Sequence, residues 1–262
     1  MRENTLRTLW AQGQAALNGW VTIPHPWVAE VMAHQGWDSV TIDAQHGLMH
    51  YDVALGMLQA ISTTPAIPLV RAPWNEPGIL MKLLDAGAYG IICPMINTRA
   101  EAEAFVGACR YPPLGYRSYG PLRAALYAGP DYVERANDAI LTLAMIETAE
   151  AVRNAADICA TPGLDGIYIG PSDLSISLGG RPGTPVSEPF LAEPIAVVLA
   201  AAQRRGIVAG IHTGSIAEAQ RMVELGFRFV TVQSDLRYLT GAAQAVVTAM
   251  KQRHAGGQAG PY

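Results

Sequence analysis

The sequence predicts an α/β protein built as a single (β/α)8 barrel. Short β-branched runs alternate with longer Ala- and Leu-rich segments along the chain, and eight such runs can be counted. The length of 262 residues is close to the roughly 250 of a typical barrel of this class. No composition shift or linker interrupts the rhythm, so one domain is expected rather than two.

In order, the expected strands are Trp20–Ile23, Ser39–Asp43, Ile67–Arg71, Gly90–Pro94, Leu141–Glu147, Asp165–Gly170, Ile207–His212 and Phe229–Gln233. IPLVR, GIICP and GIYIG are apolar on both alternating faces, as parallel strands covered on both sides require. Pro77–Ala86, Ala100–Arg110, Ala149–Ile158 and Ile216–Leu225 have helical composition and length. Eight units favour closure over an open doubly wound sheet. No Gly-rich phosphate fingerprint follows the first strand, and neither a Walker A nor a GxSxG pattern occurs. Two stretches break the rhythm, Tyr111–Pro130 and Gly179–Glu193. Loops this long are either walls of a site or packing surfaces for a neighbouring subunit, and both readings stand. The barrel is expected over residues 1–254, and residues 255–262 (AGGQAGPY) form a flexible tail with too little apolar content to fold alone.

Half the residues are hydrophobic, which is enough for a substantial core. The formal net charge of −4 argues against nucleic acid or an acidic membrane surface as partner. No apolar run approaches the ~20 residues of a membrane span, and Met1–Gln14 is too polar for a signal peptide. The three cysteines, Cys93, Cys109 and Cys159, are too scattered for a disulfide framework or a thiolate metal site. They read as small buried residues in a protein of the reducing cytoplasm.

In such a barrel the active site lies at the C-terminal ends of the strands. The expected strand ends carry Trp20, Asp43 with His46, Arg71, Pro94, Glu147, Asp173, His212 and Gln233, although charged residues are only 15% of the chain. Glu147 and Asp173 belong to neighbouring units, so two carboxylates converge. Unpaired, they would raise each other's pKa, and a divalent cation such as Mg2+ or Mn2+ relieves this. Taken singly, either could instead cap the helix that follows it. His46, just past a strand end, is placed as a base near neutral pH, with Asp85 approaching from the next unit's helix to orient the imidazole. Arg71 is placed to hold a carboxylate or an enolate oxygen, or else to pair with Asp43 or Asp85. The only lysines, Lys82 and Lys251, lie in helical segments, which closes the Schiff-base route.

The segments VTIDAQHG, PLVRAPWNEP, LLDAGAYGIICPMI, RYPPLGYRSYG, IETAEAV, DGIYIGPSDLS and GIHTG, in that order, resemble the 4-hydroxy-2-oxoheptanedioate aldolase family. These are class II pyruvate aldolases, a group that includes 2-dehydro-3-deoxyglucarate aldolases, and the resemblance runs from about Asn18 to Tyr238. It implies Glu147 and Asp173 as metal ligands, His46 as the base supported by Asp85, and Arg71 as the group stabilising the enolate. It also implies Met145 and Ser172 in the pyruvate pocket, Gly170 and Pro171 shaping that turn, and Trp20, Asp43 and Pro94 in the wall or just behind it. Where some members have Glu and Gln, this chain has Gln45 and Met145, which lowers charge and polarity beside the site. The implied activity is carbon–carbon bond formation or cleavage between pyruvate and an aldehyde, with Mg2+, Mn2+ or Co2+ and no organic cofactor. The walls around His212, Tyr119 and Ser215 would select the aldehyde. A hexamer is implied, its C-terminal helix exchanged so that Leu236–Lys251 docks on a partner subunit. Two rival readings remain: an acyl-CoA lyase of the malyl or citryl type, for which Arg117 and Arg123 offer a thin basic patch, and a non-catalytic protein that binds 2-oxo acids.

Overall fold

A computed structural model gives the architecture, and the structure describes residues 1–255. Eight parallel strands close into a barrel in sequential order. They are β1 (Ala16–Val21), β2 (Ser39–Asp43), β3 (Ile67–Arg71), β4 (Gly90–Cys93), β5 (Leu141–Ile146), β6 (Gly166–Ile169), β7 (Val208–Thr213) and β8 (Phe229–Val232). Closure is made by β1 against β8, with Ala16 opposite Phe229. The helices are α1 (Thr5–Ala11), α2 (Pro26–Ala33), α3 (Tyr51–Ile61), α4 (Pro77–Asp85), α5 (Arg99–Cys109), α6 (Leu122–Ala128) and α7 (Tyr132–Ala139). They continue with α8 (Ala149–Arg153), α9 (Ala155–Cys159), α10 (Pro171–Ser177), α11 (Pro189–Arg205), α12 (Ile216–Leu225) and α13 (Asp235–Ala255).

Local chemistry sets many of these boundaries. Thr98 and Glu101 form a reciprocal capping box at the start of α5. Glu76 accepts the N–H groups of Gly78 and Ile79 at the start of α4, where Pro77 supplies a preset φ. Gly206 and Gly226 end α11 and α12 in the left-handed conformation that glycine adopts freely. All three cysteines are free and buried. Among the described residues no helix is long and apolar enough to cross a membrane.

The structure moves several expected boundaries. The first strand begins at Ala16 rather than Trp20 and stops at Val21. Its polar centre hid it, because Asn18 is buried in hydrogen bonds with Ser39, Thr41 and Thr231. Thr22 and Ile23 lie past the strand, where both bond Asp235 at the start of α13. The helix expected over Ala149–Ile158 is divided at Asn154, whose side chain donates to the Asn97 carbonyl. The stretch Tyr111–Pro130 contains α6, and Gly179–Glu193 runs into the first turn of α11. The barrel domain, expected to end at residue 254, holds its last helix through Ala255; the remainder of the expected tail lies outside the described residues.

Positions two apart on the strands point inward, so the barrel interior is legible as a stack. Near its base Phe229 meets Trp10 edge-on at 5.8 Å and Tyr168 at 5.9 Å. Gly210 makes room for these rings, since a Cβ there would lie 2.8 Å from the Tyr168 ring. Above them come Asn18, Thr41 and Thr231, then Trp20, Asp43, Arg71 and His212 at the C-terminal rim. Apolar matter fills the base and polar groups face the mouth. Truncating the fully buried Phe229 to Ala is expected to destabilise the fold by ~3–5 kcal/mol, read as a lower urea midpoint with an unchanged slope.

Candidate active site

The register places Asp43 directly opposite Arg71 at the ends of β2 and β3. Arg71 donates to Asp43 in a fork, Nε to Oδ1 at 2.9 Å and Nη2 to Oδ2 at 2.5 Å, and both side chains are buried. Its guanidinium lies 4.9 Å from the centre of the Trp20 ring, whose N–H also donates to Asp43. Asp43 Oδ1 further accepts the backbone N–H groups of Gln45 and His46. Burial alone would raise the Asp43 pKa, but the Arg71 charge and these donors together hold it below the usual carboxylate value. Arg71 therefore does form the ion pair with Asp43 that was one reading of the sequence. Its Nη1 keeps no partner among the described residues, and the side chain lines the cavity.

Glu147 stands one residue beyond β5 and is 2% exposed. It does not cap the following helix, because Thr148 does. Its Oε1 accepts the backbone N–H of Met95 at 2.8 Å, an N–H turned inward by the positive φ of Met95. Its Oε2 crowds Gly170, where a Cβ would sit 2.6 Å from that oxygen and 2.7 Å from the Met145 methyl group. A side chain there would require the Glu147 carboxylate and the Met145 methyl group to shift. Burial pushes the Glu147 pKa up to about 7, and the charge of Asp173 adds to the rise while Met95 N–H and Arg71 oppose it. Asp173 sits exposed in the first turn of α10, directly after Pro171 and Ser172, and makes no side-chain cap.

Arg71 and Asp173 line one cavity of about 680 Å3 together with Trp20, His46, Met145 and Ser172 among others, whereas Glu147 and Asp43 are buried outside its lining. His46 is exposed at its edge, and Gly170 and Pro171 form part of the wall. Gln45, just before His46 in the chain, and the buried Pro94, just before Met95, lie outside the lining. His212 lines it too, with Trp20 edge-to-face at 5.2 Å and the Tyr168 hydroxyl 3.3 Å from Nδ1. Burial and the nearby Arg71 charge push the His212 pKa down to about 4. No lysine lines the cavity.

Within this chain, among the described residues, the expected pairing of Asp85 with His46 is not made. Asp85 ends α4, and a helix that follows a strand runs back toward the barrel base, away from the rim where His46 lies. Its carboxylate instead accepts Arg117 at 2.6 Å. That ion pair also removes Arg117 from any basic patch, and Arg123 is spent on the Ala86 carbonyl and Ser62. Of the two long stretches, Gly183–Val186 forms cavity wall, whereas Tyr111–Pro130 contributes nothing to the cavity of its own chain. Sequence reasoning missed the Met95 N–H, Thr184 and Arg237. Arg237 arrives from the first turn of α13 and could be placed only once that helix was seen to fold over the rim.

Residues 18–242 match the family described as HpcH/HpaI aldolase/citrate lyase. The chain is 43% identical, across 93% of its own length and 97% of the relative's, to a hydroxypyruvate/pyruvate aldolase of Rhizorhabdus wittichii. It is 35% identical to a 4-hydroxy-2-oxo-heptane-1,7-dioate aldolase of Salmonella dublin, across 99% of this chain and 100% of that one. The crystal structure of an HpcH/HpaI aldolase/citrate lyase family protein from Burkholderia cenocepacia superposes with a TM-score of 0.88 at 32% identity, covering 95% of this chain and 99% of that one. A barrel with these full-length relatives is an enzyme, a carbon–carbon lyase. The chain belongs to the HpcH/HpaI aldolase/citrate lyase family.

The shift at Glu147 has a consequence for stability. A carboxyl whose pKa is raised on folding stabilises the native state at low pH, and that contribution is lost as pH rises from about 4.5 through about 7. In chelator, Glu147→Gln should therefore gain stability relative to the parent across that window. Urea unfolding at a series of pH values checks this, and parallel curves would refute the buried, raised carboxyl.

Proposed function

We propose that the chain catalyses the reversible aldol addition of a pyruvate-type enolate to an aldehyde, giving a 4-hydroxy-2-oxo acid. The observation that carries this reading is the buried Glu147, facing the charge of Asp173 beside a cavity shared with Arg71 and His46. The chemistry of the two carboxylates fits a divalent cation. No hydrogen bond among the described residues reaches Glu147 Oε2 or the Asp173 carboxylate, and a buried carboxyl held near pKa 7 is one that lacks a positive partner. Glu147 and Asp173 would hold Mg2+, Mn2+ or Co2+, which would supply the positive charge that makes the methyl group of a bound pyruvate more acidic.

The chain's own groups do the rest. His46 removes a methyl proton, directly or through a water. Arg71, seated over Trp20 and fixed by Asp43, presents Nη1 to the developing enolate oxygen without reorganising. Met145 and the turn at Gly170, Pro171 and Ser172 close the pocket around the small keto acid. The enolate carbon attacks the aldehyde carbonyl, and in reverse His46 takes the proton of the 4-hydroxyl. No organic cofactor enters this scheme. Pairing of Arg117 and Arg123 inside the fold weakens the acyl-CoA reading, which needs cations free for a nucleotide.

Oligomer formation belongs to the same reading. In α13 Leu239, Val246, Val247 and Met250 are at least half exposed, and Leu122 and Leu126 of α6 are 86% and 87% exposed. We take these as faces covered in a homo-oligomer, a hexamer in which α13 crosses to a second copy. Free, buried thiols support a cytoplasmic setting.

Chelator should abolish turnover, and Mg2+, Mn2+ or Co2+ should restore it. His46→Ala should lose ~10²–10⁴-fold in kcat while its circular dichroism is unchanged. Exchange of the pyruvate methyl protons, followed by NMR, isolates enolate formation, and its absence from the metal-loaded protein would overturn the mechanism. Val247→Glu should lower the mass seen by light scattering, and a parent already monomeric would refute the assembly.

A further inference from the structure

Glu147 belongs to a closed ring of hydrogen bonds that the proposed reaction does not use. Its Oε1 accepts the Met95 N–H at 2.8 Å, and the Met95 carbonyl accepts Asn97 Nδ2 at 3.0 Å. Asn97 Oδ1 accepts the hydroxyl of Thr148, the residue next to Glu147 in the chain, which closes the ring. The partners fix the orientation of the Asn97 amide, because the Met95 carbonyl can only accept and so must face the NH2 group. Thr148 Oγ1 accepts the Ala151 N–H at the start of α8, which leaves its one proton for Asn97. The Asn97 backbone is pinned as well, its N–H donating to Glu101 at 2.7 Å and its carbonyl accepting Asn154 at 2.8 Å.

This ring accounts for the backbone of Met95. Its φ of 55° is a left-handed conformation that a side-chain-bearing residue avoids, and it persists only where the surroundings impose it. Here both polar backbone atoms of Met95 are taken, the N–H by Glu147 and the carbonyl by Asn97. Asn suits the position because its amide donates to one neighbour and accepts from the other, which neither Asp nor Leu can do. None of Met95, Asn97 and Thr148 lines the cavity.

We propose that Asn97 is a positioning residue for Glu147, and that the ring it closes sets the affinity of the site for a divalent cation. The proposal rests on the reading above that Glu147 and Asp173 hold that cation. With Oε1 held by Met95, Oε2 is the oxygen left on offer, and a ligand fixed before binding loses less freedom when the cation arrives. Without Asn97 the Met95 carbonyl is released, the peptide relaxes from its left-handed conformation, and its N–H no longer aims at Oε1. Asn97 thus acts through Glu147 and not on the substrate.

The test is a Mn2+ titration of the chelator-stripped full chain without substrate, followed by the electron paramagnetic resonance signal of free Mn2+. Asn97→Ala should weaken binding by about 10- to 100-fold. Excess Mn2+ should then return kcat toward the parent value, which a general loss of structure would not allow. Thr148→Val breaks the ring from the other side and should also weaken binding. Thr148→Ser keeps the hydroxyl and should recover most of that loss. Parent affinity in Asn97→Ala, or in Thr148→Val if Asn97→Ala does not fold, overturns the proposal, as does a kcat defect that excess Mn2+ leaves unchanged. A parent chain that binds no Mn2+ would instead sink the underlying metal reading, so the two failures are told apart.

Discussion

The ion pair of Arg71 and Asp43 fixes the floor of the cavity, and the rest of the site is arranged around it. Desolvating two charges is costly, and such a pair is a poor source of net stability. What it provides is position. Asp43 uses both oxygens on Arg71 and has Trp20 and the backbone of residues 45 and 46 as further donors, so every group that touches it is oriented at once. The indole is held beneath the guanidinium, and the loop that carries His46 starts in a defined direction. Two adjacent strands in register place the partners opposite one another, so the arrangement follows from barrel closure itself.

The same cation divides the neighbouring titratable groups. Asp43 is held in its charged form, while His212 is kept neutral by burial and by the Arg71 charge. Glu147 feels Arg71 only weakly and remains a buried acid whose pKa is pushed to about 7. A satisfied carboxylate, a neutral imidazole and a carboxyl awaiting positive charge thus stand in or next to one another's surroundings; burial weighs on all three, and the Arg71 charge acts on each to a different degree. The glycine at position 170 belongs to this balance, because a Cβ there would crowd the Glu147 carboxylate at 2.6 Å.

Much of this was legible in the sequence because the strands of a parallel barrel end where the chemistry is. Asp43, Arg71, Glu147 and His212 each sit within a residue of a strand terminus, and periodicity alone locates those termini. The first strand was misplaced by four residues for the same reason, since a buried Asn in a polar network mimics a loop. Asp85 shows the opposite failure. Its helix was read correctly, but proximity was inferred from the neighbouring unit, whereas the carboxylate is taken by Arg117.

By itself the sequence determined the barrel, the carboxylates, the arginine and the histidine at its rim, because strand period and residue chemistry are local properties. Tertiary structure alone decided who bonds to whom: that Asp43 rather than Asp85 takes Arg71, that a backbone N–H at residue 95 reaches Glu147, and that the Tyr168 hydroxyl meets His212 Nδ1. Those choices depend on distances of a few ångströms between residues far apart in the chain, and only closure of the sheet fixes them.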